Sequence, residues 1–421
     1  MQDVELAARR NDAASGDPEA LYRLGNALVQ RREMEEACVH HARAAGAGYA
    51  PAQIEYARML LYGIGAEPAV EQAVHWLQRA EAAGHAVAAY YLALVAIGGV
   101  ALPRDEAMNH RLQAAVRAGF PPAMRAAAIH FGRKPHPEDQ RLCLRLLHDA
   151  AVRGDALCAA LLAERLARGE GVSPDPAAAQ RLRAASASIL PEVTAPLPWQ
   201  ASGEARTLEL REALLPPPLE ARSERPRIAV VNGLLSADEC RLLVAAAQPI
   251  LGKSMVNDPQ TGESVANPIR TSSEAGFNPV TEDLALRIVQ LRLAAAAGVD
   301  LPNAEHLIVL RYAPGQEYRP HRDYIAPRAL EDDNPGAGNR ARTICVYLNT
   351  PEAGGETEFP MAGIRVAPKP GRAVIFDNMA FDAAHPDGRP DPESLHAGLP
   401  VVRGEKWLAT LWLRQRRYRG F

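Results

Sequence analysis

The sequence predicts a multidomain protein of two unlike parts: an N-terminal α-solenoid of helical hairpin repeats, and a C-terminal double-stranded β-helix, or jelly-roll, with flanking helices. Three observations carry that expectation. Residues 1–185 place Ala, Leu, Arg and Glu at helical spacing and repeat a glycine signpost at a near-constant interval. Residues 186–226 are broken by prolines. From Leu307 onward, β-branched and aromatic residues run between Pro, Gly and Asn, the punctuation of short strands.

The repeat is read from Gly16, Gly48, Gly84, Gly119 and Gly154, which lie 32, 36, 35 and 35 residues apart. Each follows an Ala-rich helix end, and a small residue stands four positions later. Glycine there ends a helix in the left-handed conformation, and the small residue lets the next helix approach closely. Turns within units are visible at Gly63-Ile64-Gly65, Gly98-Gly99-Val100 and Gly169-Glu170-Gly171. Five helix-turn-helix units follow, the first and fourth with degenerate internal turns.

In 186–226, Ile189-Leu190-Pro191, Pro196-Leu197-Pro198-Trp199 and Pro216-Pro217-Pro218 cannot continue a helix, because proline lacks the amide donor. A semi-rigid linker is expected, with residues 207–214 adding an edge strand or short helix. Beyond it, Arg227 to Asn232 reads as a strand. Ser236-Ala237-Asp238-Glu239 is a capping box opening a helix over 240–247, and a second helix is expected over 281–297.

Composition narrows the function. A net charge of −3 gives no basic field for nucleic acid or anionic membrane. Five cysteines form no C-x-x-C pair, which argues for a reducing compartment. The start, Met1-Gln2-Asp3-Val4-Glu5, has no secretory pattern, so the expected location is cytoplasmic. Residues 86–102 carry no charge, but they are Ala-rich and interrupted by Gly98-Gly99, and no membrane span is expected.

The chemistry concentrates in Arg311-Tyr312-Ala313-Pro314-Gly315-Gln316-Glu317-Tyr318-Arg319-Pro320-His321-Arg322-Asp323. His321 and Asp323, two apart after a Pro-Gly turn, share one side of an extended segment. A third ligand is expected from a distant strand, since a closed sheet brings remote strand ends together. His396 is the candidate, with His385 as its competitor in a Pro/Gly/Asp-rich loop. Two histidines and one carboxylate make the facial triad of non-haem Fe(II) oxygenases. An H-x-D pair alone is weak evidence. Lys406, ten residues after His396, adds a cation that can reach a dicarboxylate at the metal. His321-Arg322-Asp323 also matches the start of a kinase catalytic loop, but no glycine-rich loop or Asp-Phe-Gly segment accompanies it.

With these residues in view, the chain from about Arg227 resembles the prolyl 4-hydroxylase-like branch of the 2-oxoglutarate and Fe(II)-dependent dioxygenases. The ordered motifs are Arg270-Thr271-Ser272, the Arg311 to Asp323 block, Thr343 to Asn349, Gly354-Gly355-Glu356-Thr357-Glu358-Phe359-Pro360, Gly371 to Asn378, and His396 to Trp412. The repeats of 1–185 resemble Sel1-like repeats, relatives of the tetratricopeptide repeat. The division implied is 1–185 repeats, 186–226 linker and 227–421 oxygenase domain.

The resemblance implies Fe(II) on His321, Asp323 and His396, and 2-oxoglutarate with its far carboxylate on Lys406. Tyr312, Thr357, Trp412 and Tyr347 are implied to line the same cosubstrate pocket, with ascorbate as an accessory reductant. The implied reaction consumes O2, releases succinate and CO2, and hydroxylates a C–H bond, of a prolyl or other residue in a protein or peptide docked by the repeats. Two alternatives stand beside it: a dioxygenase acting on a free amino acid or peptide natural product, with the repeats used for assembly, and a catalytically silent binding or scaffold protein. An intact ligand triad with Lys406 separates the enzymes from the scaffold. Substrate choice is expected in loops 253–277 and 325–340, the second carrying the acidic run Glu331-Asp332-Asp333.

Overall fold

The computed structural model describes residues 2–184, 208–254, 256–257, 264–265 and 269–421. Most of the expected linker, including Ile189 to Trp199, and the middle of loop 253–277 lie outside the described residues. The chain forms two compact units: residues 1–123 with Gly420 and Phe421, and residues 124–419.

The first unit is a run of antiparallel helices: Gln2–Ala13, Pro18–Gln30, Met34–Gly46, Ala50–Tyr62, Val70–Ala82, Ala86–Gly98 and Glu106–Arg117. The signpost glycines occupy the conformation expected of them, with φ of 78°, 89°, 86°, 76° and 89° at Gly16, Gly48, Gly84, Gly119 and Gly154. Each helix turns its small and aliphatic residues inward. One core gathers Leu21, Leu24, Leu28, Ala44 and Ala52, and the next Ile54, Leu60, Leu77, Leu92 and Val95. The C-terminal Phe421 packs into the latter, its ring 5.8 Å from that of Tyr62. The uncharged stretch from Ala86 is one of these helices, only thirteen residues long and buried along most of its length. Among the described residues, no helix is long and apolar enough to cross a membrane.

The second unit holds the last repeat helices, Pro137–Val152, Ala156–Arg168 and Pro176–Ala184, together with the strand-rich part. Buried ion pairs join them. Arg165 Nε donates to Asp238 Oδ2 at 2.9 Å, and the two side chains are 3% and 2% exposed. Arg125 bridges Asp155 and Asp283, and Arg133 reaches Glu239. Asp238 and Glu239 sit in the first turn of helix Ala237–Ala247, whose N-cap is Ser236 in a complete capping box. Helix Leu284–Ala296 starts at Asp283, which caps Leu286 N. Its Arg292, fully buried, pairs with the other Glu239 oxygen. Helix Leu210–Leu214 falls within the element expected over 207–214.

Two antiparallel sheets form the jelly-roll. The large one has the order Glu220–Glu224, Arg227–Val231, Ala373–Asp377, Arg340–Tyr347, Lys406–Arg414, Leu307–Tyr312, Ser273–Phe277, Gly252–Lys253. The small one has the order Ile364–Val366, Thr357–Phe359, His396–Gly398, Tyr318–His321. Their inner faces share a core: Leu310, Cys345, Tyr347, Val374, Phe376 and Leu408 from the large sheet meet Phe359 and Val366 from the small one. The small sheet thereby faces one end of the central strand Lys406–Arg414.

Candidate active site

The site is built on the edge of the small sheet. Strand Tyr318–His321 pairs antiparallel with His396–Gly398 in a register that sets His321 opposite His396. Residues directly opposite on one face bring their side chains together, and the two imidazole centroids lie 4.2 Å apart. Each ring is held from behind. His321 Nδ1 donates to Arg319 O at 2.8 Å, and His396 Nδ1 to Ser394 O at 2.9 Å. A carbonyl can only accept, so Nδ1 carries a proton in each ring and Nε2 is the nitrogen turned to Asp323. Tyr318 stacks on His321 at 3.3 Å between centroids, and Phe376 lies 4.4 Å from His396.

Asp323 arrives differently from the strand alternation expected for it. The strand ends at His321, and the carboxylate is brought round just beyond that end, then held by Thr343, whose Oγ1 donates to Asp323 Oδ2 at 2.8 Å. Thr343 Oγ1 accepts in turn from Asn378 Nδ2 at 2.8 Å. Asp323 Oδ1 stands 3.6 Å from His321 Nε2, and Oδ2 stands 3.7 Å from His396 Nε2. One ligand atom from each of the three residues lies within 4.8 Å of the others, the one such group among the described residues.

The electrostatics suit a cation. Burial lowers the His396 pKa to about 4, reinforced by neighbouring His321, so its ring is neutral at ordinary pH. Burial alone would raise the Asp323 carboxyl, yet His396, His321 and Arg340 hold it well below the usual carboxylate range. Two imidazoles, that of His396 neutral, and one carboxylate fit Fe(II).

Lys406 enters from the large sheet. It opens strand Lys406–Arg414, opposite Tyr312, and is 1% exposed. Its Nζ lies 5.1 Å from the Tyr312 ring and 5.5 Å from the Tyr347 ring. Among the described residues, no carboxylate pairs with it. Burial pulls its pKa down to about 8. The cavity that contains it also contains His321, Asp323 and His396, with Tyr312, Thr357 and Trp412 in its lining and Leu310 and Leu408 as apolar walls. A buried cation at one end and the His321–Asp323–His396 cluster at the other suit a dicarboxylic oxoacid bound beside a metal.

Seven of the eight expected site residues therefore line one cavity. Tyr347 stands behind it: its hydroxyl donates to Thr357 Oγ1 at 2.6 Å and lies 2.9 Å from Val366 O, so it touches the pocket through Thr357. Cys345 joins the lining, its thiol pushed up to about 12 by burial. His385 is exposed, bonded to Asp382 and outside the His321–Asp323–His396 cluster. His306 packs edge-on against Tyr418.

Several contributors carried no assignment from sequence. Thr343 and Asn378 fall inside the quoted motifs, but their hydrogen-bond chain depends on strands 35 residues apart. Arg340 covers Trp412 at 3.8 Å and is tied to Glu305, which also holds Arg414. The acidic loop is more ordered than its composition implies: residues 327–332 form a short helix, and Asp333 pairs with Arg414.

Comparison with known proteins gives this geometry its class. Residues 307–414 match the family model described as the 2OG-Fe(II) oxygenase superfamily, and residues 50–85 and 156–182 match the Sel1 repeat. Fold, site and match together define an Fe(II)- and 2-oxoglutarate-dependent dioxygenase with appended Sel1 repeats. Prolyl 4-hydroxylase 1 of Arabidopsis thaliana is 38% identical over 211 residues, spanning 47% of this chain and 72% of that protein. Probable prolyl 4-hydroxylase 10 of the same plant is 35% identical over 220 residues, spanning 48% and 73%. The solved viral collagen prolyl hydroxylase of Paramecium Bursaria Chlorella virus-1, in complex with 2-oxoglutarate, is 31% identical and covers 44% of this chain and 95% of its own, with a TM-score of 0.34. The chain belongs to the prolyl 4-hydroxylase family of the 2OG-Fe(II) oxygenases.

Proposed function

We propose that this dioxygenase hydroxylates a prolyl residue of a protein or peptide, releasing succinate and CO2, and that its helical repeats dock the substrate protein. The observation that carries the reading is the shared cavity, with the His321–Asp323–His396 cluster at one end and the buried Lys406 at the other. The prolyl assignment is supported by the named relatives. The docking role is supported by the repeat architecture, since stacked helical repeats in general offer extended binding surfaces. In this reading, residues 227–421 are the catalytic domain, 186–226 the linker and 1–185 the docking domain.

His321, Asp323 and His396 would hold the iron. Lys406 would hold the distal carboxylate of 2-oxoglutarate by charge, since a buried ammonium regains through that pair part of what it lost in hydration. Thr357 and Tyr312 line the walls of the same slot, and Tyr347 fixes the Thr357 hydroxyl through its own hydrogen bond. Thr343, backed by Asn378, keeps the Asp323 oxygens turned toward the histidines. Leu310 and Leu408 exclude water from the reacting centre. The metal and its cosubstrate supply the oxidising chemistry when bound. Ascorbate would serve as an external reductant that keeps the iron ferrous.

The test is an anaerobic titration of the purified chain with Fe(II) and 2-oxoglutarate, followed by exposure to O2 with proline-containing peptides. A weak visible charge-transfer band that requires both additions, followed by a mass gain of one oxygen atom on a peptide proline, is the expected result. A folded, iron-loaded protein that shows no band overturns the site. A band without any peptide product overturns the prolyl reading.

A further inference from the structure

Strand Lys406–Arg414 turns successive residues to opposite faces of the large sheet. Lys406 and Leu408 line the catalytic cavity, whereas Trp407 between them lines a second cleft that shares no residue with the first. Its volume of about 700 Å³ falls within the roughly 300–1,000 Å³ of small-molecule sites. Its lining lies wholly within the second compact unit. One wall is helix Ala156–Arg168, which presents Leu161, Glu164 and Arg168 from one face. The opposite wall is helix Ala237–Ala247, which presents Ala237, Arg241 and Val244 in the same way. Trp407 and Leu348 form the floor. That floor is pinned by Asn349, whose Oδ1 accepts from Trp407 N at 2.7 Å and whose Nδ2 donates to Glu405 O at 2.8 Å.

The charge at the rim of this cleft is uneven. Glu164 accepts from Arg183 Nη2 at 2.7 Å and from Arg168 Nε and Nη2, both at 3.2 Å. Among the described residues, two guanidinium groups therefore share one carboxylate, which leaves one positive charge in excess. Arg241 adds none, since Glu170 and Asp238 neutralise it. The side chains of Arg168 and Arg183 are 62% and 50% exposed, so the N–H groups not given to Glu164 stay open to an anion from solvent. Apolar walls, an indole floor and a cationic rim thus occur together in one cleft that the dioxygenase reaction does not use.

We propose that this cleft binds a small aromatic carboxylate, its ring over the Trp407 and Leu348 floor between Leu161 and Val244, and its carboxylate on Arg168 and Arg183. A guanidinium pairs with a carboxylate through two parallel hydrogen bonds and stacks on aromatic planes. A flat ring gains from packing against an indole, and it gives up less conformational freedom on binding than a flexible aliphatic acid of the same charge. The site stands apart from the prolyl reading, because none of its residues belongs to the catalytic cavity.

The experiment titrates the full chain by calorimetry with 2-naphthoate and with naphthalene-2-carboxamide, which keeps the ring and lacks the charge, each with and without anaerobic Fe(II) and 2-oxoglutarate. Saturable binding of 2-naphthoate is expected, about fivefold tighter than that of the carboxamide and unaltered by Fe(II) and 2-oxoglutarate. Arg168→Gln combined with Arg183→Gln, both at exposed positions, brings 2-naphthoate down to the affinity of the carboxamide. Val244→Trp fills the cleft and removes binding of both, with circular dichroism confirming that each variant is folded. Absence of binding, or equal affinity of wild type for the two probes, overturns the inference. Displacement of 2-naphthoate by 2-oxoglutarate places the probe in the catalytic cavity and overturns it as well. Binding that appears only after deletion of residues 186–200 assigns the cleft to the chain's own linker, with the same consequence.

Discussion

His321 and His396 occupy opposed positions of one antiparallel strand pair, and their rings stand 4.2 Å apart with both Nδ1 protons given to backbone carbonyls. The register of two short strands thus brings two imidazoles to one point, and Asp323 joins them from just beyond the strand end. Replacing His396 by Ala removes one of the three side chains proposed to hold iron. The expected outcome is loss of the Fe(II)- and 2-oxoglutarate-dependent band and of turnover, with the thermal transition kept, because the neutral ring makes no ion pair on which the fold depends. Turnover comparable to wild type in His396→Ala would exclude this histidine as a ligand.

Thr343→Val keeps the shape of the side chain and removes the hydroxyl between Asn378 and Asp323. Loss of an outer partner of a metal-binding carboxylate weakens affinity by roughly 10–100-fold. Fe(II) affinity measured by competition with a chelator should fall in that range, while 2-oxoglutarate at saturating iron still gives the band. Unaltered iron affinity would leave Asp323 oriented by something else.

Lys406 should show its burial in two ways. Its pKa is lowered to about 8, so the charged form prevails below that pH and the neutral form above it. Affinity for 2-oxoglutarate is expected to be flat below about pH 8 and to weaken by about tenfold per unit above it. Lys406→Arg, charged throughout, should abolish the slope. A slope that persists in Lys406→Arg assigns it to another group.

The same burial is a cost to the fold. A lysine whose folded pKa lies below its unfolded value destabilises wherever the unfolded chain is charged. In the folded state fewer protons are bound between about pH 8 and the unfolded value, so stability rises with pH across that window. At neutral pH, Lys406→Met is expected to gain on the order of 3 kcal/mol in chemical denaturation while losing 2-oxoglutarate binding. A variant that loses both stability and binding would point to a packing role for the lysine stem.

The last repeat helices should be inseparable from the barrel. Arg165, Arg133 and Arg125 neutralise Asp238, Glu239 and Asp283 at the starts of the two barrel helices. Removing one partner of a buried pair costs about 3–5 kcal/mol. A fragment starting at residue 208 is expected to be insoluble or to unfold well below a fragment starting at residue 124, as read by circular dichroism. Equal stability of the two would show that these pairs contribute nothing.

Much of this protein was legible before any coordinates. The glycine period follows from local sterics, since a helix end in the left-handed conformation takes glycine wherever it occurs, and each predicted signpost has positive φ. Ser236 and Glu239 form their capping box within one turn. The ligand types and Lys406 were readable because metal chemistry restricts which side chains serve and the family motifs keep their order. Tertiary structure alone decided which atoms meet: the register that opposes His321 to His396, the turn that returns Asp323, and the position of Tyr347 behind Thr357. It also decided the boundary between compact units at residues 123 and 124, because Arg165 and Asp238, 73 residues apart, neutralise each other only once packed. Local conformational preferences act within a turn of chain, whereas register and burial depend on partners that no stretch of sequence contains by itself.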